Sequence, residues 1–376
     1  MKVHSRNSAR FSWAAICSAV VLMPAAASRA GVVVSNLVTD DQTVNAALIA
    51  DANLKNPWGV SYSSSGPFWV SDNSTGLSTI YQVNSTTNMP STVGFVVSIP
   101  GNGSVTGQAY NSTTDFNNDP FLFVSEDGTV SGWRGTLGTT AEVLALASPD
   151  NVYKGAALAT ITGNSYLYAA NFKAGTIDVF KGSAGAPNLP GNFTDPNLPS
   201  GFAPFNIANL GGKLYVTYAV QDAAKTDDVP GAGNGIVDAF DLDGNLLGRI
   251  ATAGALNSPW GLVIAPAGFE GVGGDLLVGN FGDGTIHAFN PITHADDGPI
   301  RDVHGNPISI DGLWALISGN GGSAGSSNLI YFSAGSNGEA DGLFGSLASV
   351  PEPSALALLL IGCATLVGWH FRRRMQ

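Results

Sequence analysis

Apolar and polar positions fall into two regimes along this chain. From Gly31 to Ser349, short apolar runs, many alternating with polar residues, are separated by clusters of Gly, Asn, Asp and Ser. A period of two with turn residues between the runs predicts short, half-buried β-strands and few helices. At each end stands an unbroken apolar stretch, Phe11 to Met23 and Ser354 to Phe371, with no such alternation. The chain therefore divides into residues 1–30, an all-β body over 31–349, and a tail over 350–376.

Within the body the pattern repeats. The segment NPWGVSYSSSGPFWVSDNSTGLSTIYQVN from Asn56 matches SPWGLVIAPAGFEGVGGDLLVGNFGDGTIHAFN from Ser258. Each has Pro-Trp-Gly, an apolar strand, a glycine turn, a second strand ending in Asn or Asp-Asn, a glycine loop and a third, alternating strand. A copy from Lys154 lacks only the Pro-Trp, one from Ala203 has a longer loop between its second and third strands, from Val220 to Gly235, and looser copies start near Gly107 and Asp311. Trp58, Gln108, Gly155, Phe205, Trp260 and Leu313 mark six copies at steps of 47 to 55 residues. A fourth strand is legible in several gaps, at Ser91, Ala141 and Asn245.

Short antiparallel strands at this period predict a β-propeller, because one such sheet cannot bury both faces without neighbours. A pair of β-sandwiches also accommodates short strands, but it does not generate a fifty-residue period. The sixth copy ends after its third strand, and Val32–Val38 stands alone before the first. That early strand is expected to complete the last blade and so close the ring. The order Pro-Trp-Gly, apolar strand ending in Asp or Asn, glycine loop and Ile-rich strand resembles the NHL-type repeats of six-bladed propellers, over almost all of the body. The fold expected is thus a six-bladed propeller with four-stranded blades.

The ends carry sorting information. Lys2, Arg6 and Arg10 precede the apolar run, Pro24 closes it, and small residues follow, so a signal peptidase is expected to cut near Gly31. At the other end Val350-Pro351-Glu352-Pro353 leads into the second apolar run and then Arg372-Arg373-Arg374. Residues 354–371 as a helix would cover about 27 Å, enough for one membrane span, and the arginines would stop translocation. The Pro-Glu-Pro signal, the span and the arginine cluster in this order resemble the PEP-CTERM tail of bacterial exported proteins. The resemblance implies an exosortase as processing partner, transient membrane anchoring, and delivery to the outer surface or an exopolysaccharide matrix. An ordinary C-terminal anchor explains the span and the arginines but not Pro351-Glu352-Pro353.

Composition narrows the chemistry. Cys17 and Cys363 lie in the two apolar end segments, so the body has no disulfide, thiol nucleophile or thiolate metal site. It carries 9 basic against 27 acidic residues, a balance of −18. Such a charge excludes a nucleic-acid backbone as partner and leaves room for cations.

Antiparallel geometry puts the loops entering each first strand and leaving each second strand on one face of the disc. Entering are Asn56, Lys154, Asn206 and Asp311; leaving are Asp72, Asn73, Glu126, Asp127, Asn171, Asn280 and Asp283. At a propeller mouth these carboxylates and amides could hold Ca²⁺ or another divalent cation through oxygen ligands. The same residue types also serve tight turns, by satisfying local backbone groups. Asp241-Leu-Asp243-Gly-Asn245 lacks the later ligands of a calcium loop and reads as a hairpin turn. Neither a Gly-x-Ser-x-Gly elbow nor a His-x-x-x-His pair is present.

Two functions remain open. One is a non-catalytic binding or structural propeller that engages a polysaccharide, a protein or a cation. The other is a metal-dependent hydrolase or lyase of the lactonase kind, which the resemblance to six-bladed propellers implies, with ligands drawn from the same mouth residues. Fold cannot choose between them.

Overall fold

In the computed structural model, residues 31–102 and 104–350 are described. The signal segment, Pro351-Glu352-Pro353, the 354–371 span and Arg372-Arg373-Arg374 lie outside them. Among the described residues, no helix is long and apolar enough to cross a membrane.

The strands form six sheets in chain order, antiparallel apart from the short Ile49–Ala50, which pairs parallel with Gly31–Thr39. Their first strands are Pro57–Ser61, Val105–Tyr110, Tyr153–Ile161, Phe202–Leu210, Pro259–Ile264 and Leu313–Ser318. Each contacts the next, and the sixth returns to the first, so these strands ring a common axis. The sheets are the blades of a six-bladed propeller, matching the repeat in number and position.

Closure follows the expected route. The early strand Gly31–Thr39 pairs antiparallel with the last, Leu343–Val350, bringing Gly31 opposite Val350 and Val33 opposite Ala348. Blade six thereby gains its outer strand from the start of the body. Blade three has three strands rather than four; the segment after Lys181 instead lays Ala186 and Phe193 on the core shared with blade four.

The apolar face of each strand explains why blades need each other. Six hydrophobic clusters sit between successive blades, such as Phe68, Val70 and Tyr81 of blade one against Tyr331 and Phe344 of blade six. A seventh, of Trp58, Phe172, Phe205, Trp260 and Trp314, lies at the axis.

The Pro-Trp-Gly signature has a steric cause. A side chain at Gly59 would begin 2.6 Å from the Thr106 carbonyl oxygen of blade two, and one at Gly261 would begin 2.8 Å from that of Trp314 in blade six. Glycine lets neighbouring first strands approach this closely, because no β-carbon stands between the backbones.

Candidate functional site: an acidic mouth over a buried lysine

All six axial strands break register at the same place near their start, between Pro57 and Val60, Val105 and Gln108, Tyr153 and Ala156, Pro204 and Asn206, Pro259 and Gly261, and Leu313 and Leu316. A bulge re-aims the residue it carries. The six bulges bring Trp58, Thr106, Lys154, Phe205, Trp260 and Trp314 to equivalent positions around the axis. Trp58 stacks on Trp314 with ring centroids 3.5 Å apart, and Trp260 meets both edge-on at 6.2 and 5.9 Å. Phe281 covers the other face of Trp314 at 3.9 Å. These aromatic rings plug the channel and bury one another's faces.

Lys154 is the charged member of this layer. It is 1% exposed, and its ammonium lies 5.2 Å from the centroid of the Trp58 ring, within reach of the ring's quadrupole. The ammonium donates to Glu126 Oε1 and, at 3.1 Å, to Asp227 Oδ1. Burial alone would lower its pKa; Glu126 and Asp227 outweigh that penalty and hold it above the ordinary lysine range. Lys154 is therefore a permanent cation at neutral pH and not an amine nucleophile.

Above this floor opens a cavity of about 590 Å³ lined by Asn56, Asn73, Glu126, Asp227, Asp228 and Glu339 together with Trp58, Phe281 and Trp314. Asn56, left-handed at φ 45°, uses its amide as a hub. Its Nδ2 donates to Glu339 Oε2 at 2.7 Å, and its Oδ1 accepts from Trp314 Nε1 at 3.1 Å. Asn73 Nδ2 donates to Glu126 Oε2 at 3.2 Å. Burial pushes the Glu339 carboxyl above its ordinary range, and the charges of Glu126 and Asp227 push the same way. Burial likewise raises Asp228, whose Oδ2 is buried without a partner. Four carboxylates thus face one internal ammonium.

The residues singled out from sequence divide between this cavity and local structure. Asn73 and Glu126 line the mouth, as does Asn56, and Lys154 underlies it. Asp72 is fully buried at the end of its strand, accepts from the Thr79 N–H at 3.1 Å, and burial raises its pKa well above the ordinary value. Asp127 accepts from the backbone of Thr129 at 2.9 Å and of Asn102 at 3.2 Å. Asn171 is buried and accepts from the Val152 and Ala174 N–H groups, both at 3.2 Å. Asn280 accepts from the Asn257 N–H at 3.0 Å, and Asp283 accepts from the Thr285 N–H at 3.0 Å.

Sequence reasoning missed Asp227, Asp228, Glu339, Phe281 and Trp314. The first two come from the long loop between Val220 and Ile236, whose length was the available signal. Trp314 was also legible, since Leu-Trp-Ala aligns with Pro-Trp-Gly. Among the described residues, no group of three or more His, Cys, Asp or Glu side chains converges so as to hold a metal ion. The Lys154 ammonium already stands between Glu126 and Asp227, so this donor set does not fit Ca²⁺.

Comparison with known proteins adds three findings. The PEP-CTERM protein-sorting motif matches residues 349–374; it marks an exported protein, anchored in the membrane for sorting and handled by an exosortase. Among solved structures, an α-L-arabinofuranosidase of Fusarium graminearum superposes with a TM-score of 0.52 at 13% identity, over 85% of this chain and 98% of that one. At that identity the likeness shows the fold alone. Two proteins of Acanthamoeba polyphaga mimivirus are similar in sequence over most of their length. Uncharacterized protein R648 is 32% identical over 330 residues, 83% of this chain and 79% of the relative. Uncharacterized protein L690 is 31% identical over 321 residues, 79% and 81% respectively. The chain belongs to the family of these two mimivirus proteins, and its residues 349–374 carry the PEP-CTERM sorting motif.

Proposed function

We propose that the protein is a non-catalytic binding propeller, displayed at the outer surface or in the extracellular matrix, whose axial mouth captures a cationic group on a polar ligand such as an amine-bearing saccharide. One observation carries this reading: Glu126, Asp227, Asp228 and Glu339 face a single cavity, and among the described residues Lys154 alone is their counter-charge there. Burial raises both Glu339 and Asp228, so the site is partly dry, and at Glu339 the neighbouring charges of Glu126 and Asp227 push the same way, which supports this reading. A ligand ammonium relieves that charge, and the amides of Asn56 and Asn73 offer hydrogen bonds beside it. The floor favours recognition of charge over stacking, since Trp58 and Trp314 already cover each other's faces.

The lactonase-like alternative has less support. Its metal would compete with Lys154 for Glu126 and Asp227, and Asp72, Asn171 and Asn280 are committed to the strand ends and turns of their own blades. The hydrolase named above resembles this chain in fold, which says nothing of its chemistry.

A matched pair of ligands tests the proposal. In mildly acidic buffer short chitosan oligomers carry protonated amines, whereas chitin oligomers of the same length carry neutral acetamides. A ligand that binds only the folded state raises the melting midpoint. Chitosan oligomers should raise it and chitin oligomers should not, and Glu126→Gln with Glu339→Gln should erase the difference. Equal shifts with both oligomers, or no shift with either, would refute the charge reading.

A further inference from the structure

The strand pair that closes the ring also joins the two ends of the described chain, with Gly31 opposite Val350. The sorting-motif match begins at residue 349, inside the strand Leu343–Val350. No linker separates blade from tail: Pro351, Glu352 and Pro353 alone stand between Val350 and the apolar run that starts at Ser354. Fully extended, that path spans at most about 14 Å. As long as the tail is anchored and uncut, the outer end of blade six is held within that distance of the bilayer.

At this place the surface exposes valines beside polar neighbours such as Asp302 and His304. Val33, Val34, Val303 and Val350 are 40%, 38%, 41% and 41% exposed. Val303 adjoins the closing pair, since a side chain at Gly31 would begin 2.7 Å from the Val303 Cα. Val32 ties the two segments together, donating its N–H to the Arg301 carbonyl at 2.8 Å and bridging to Asp302. Val33, Val303 and Val350 therefore share one side of the closing pair, at the root of the tail, whereas Val34, the next residue along its strand, points to the other.

We propose that this patch is a membrane-seating surface: Val33, Val303 and Val350 rest in the lipid interface of the bilayer that holds the uncut tail. The occupant follows from where the tail departs. A tether this short keeps the patch at the lipid surface at high effective concentration, so a weak apolar contact suffices to seat it. Cutting the tail removes the tether and leaves three partly exposed valines, too small an area to hold an acidic domain on lipid alone. Seating and release are thus both built into the position of the closing strand.

Fluorescence quenching in vesicles tests this on the full chain. Pro351, Glu352 and Pro353 are changed to alanine to prevent cutting, and Cys17 and Cys363 to alanine so that one introduced cysteine takes the dye. The labelled site is Val33→Cys, Val303→Cys or Lys181→Cys, the last being exposed on blade three across the ring. Each protein is reconstituted into phosphatidylcholine vesicles containing a nitroxide-labelled lipid and read on the fraction that floats with them. Dyes at Val33→Cys and Val303→Cys should lose fluorescence and the dye at Lys181→Cys should not. A flexible Gly-Ser spacer inserted after Val350 should restore the lost signal. Equal quenching at all three positions, or quenching that the long spacer leaves unchanged, would overturn the proposal.

Discussion

Neutralising Glu126 tests whether the mouth is organised around Lys154. The ammonium is 1% exposed and is paired with Glu126, 26% exposed, and Asp227, 71% exposed. Two unit charges about 3 Å apart attract by about 5 kcal/mol at an effective dielectric constant of about 20, and stripping one partner from a buried pair typically costs about 3–5 kcal/mol. Water reaches part of Glu126, so Glu126→Gln should destabilise the ectodomain by about 2–4 kcal/mol. The Asp227 contact is screened by solvent, so Asp227→Asn should cost less than about 1 kcal/mol. Urea titration of the body over 31–350 measures both, as shifts in midpoint at constant slope. In a Lys154→Met background, which keeps packing over Trp58 but removes the charge, Glu126→Gln should lose most of its effect. Equal costs for the two carboxylates, or a Glu126→Gln cost that persists without the ammonium, would refute the reasoning.

Other consequences can be measured as directly. Burial raises the Asp238 carboxyl to about 6 despite its bond to Arg249. The folded state therefore binds the proton more tightly than the unfolded one, and this group's contribution to stability falls as pH rises from about 4 through 6. Urea midpoints should show wild type losing stability relative to Asp238→Asn across that window; a pH-independent difference would contradict it. Gly59→Ala drives a methyl group against the Thr106 carbonyl oxygen 2.6 Å away, and should cost about 1–3 kcal/mol. Gly135→Ala, with nothing within 4 Å, should change stability by less than about 0.5 kcal/mol. Changing Pro351, Glu352 and Pro353 together to alanine should leave the chain unprocessed and membrane-held in an exosortase-containing host; processing at the normal rate would remove the exosortase from the account.

The architecture was legible because it is periodic. Pro-Trp-Gly at Pro57 and Pro259 marks positions where neighbouring backbones nearly touch, and only glycine satisfies that constraint. The closing strand was legible because the sixth repeat lacks a partner that Val32–Val38 can supply. The mouth was only half legible, and the cause is local. Asn and Asp at strand ends serve turns and mouths alike, and nothing in sequence tells Asn73, which lines the cavity, from Asn280, which binds the Asn257 N–H and the Thr285 hydroxyl. Lys154 was read among the loops of one face and lies instead in the axial strand beneath the cavity, and its neighbours Asp227 and Glu339 lie 73 and 185 positions further along the chain. Loops of irregular length bring them there, and no period announces it.

Every element of this account depends on the first and last strands of the body lying side by side in one register. The body contains no native cysteine, so a cross-link reads that register without interference. Val33 and Ala348 face each other directly, and residues opposed in an antiparallel pair have Cα atoms about 4.5–5.5 Å apart, within the range a disulfide spans. Val33→Cys with Ala348→Cys should cross-link under mild oxidation and raise the unfolding midpoint, while Val33→Cys with Phe344→Cys should not. If only the second pair closes, or neither does, the ring is not joined as described here.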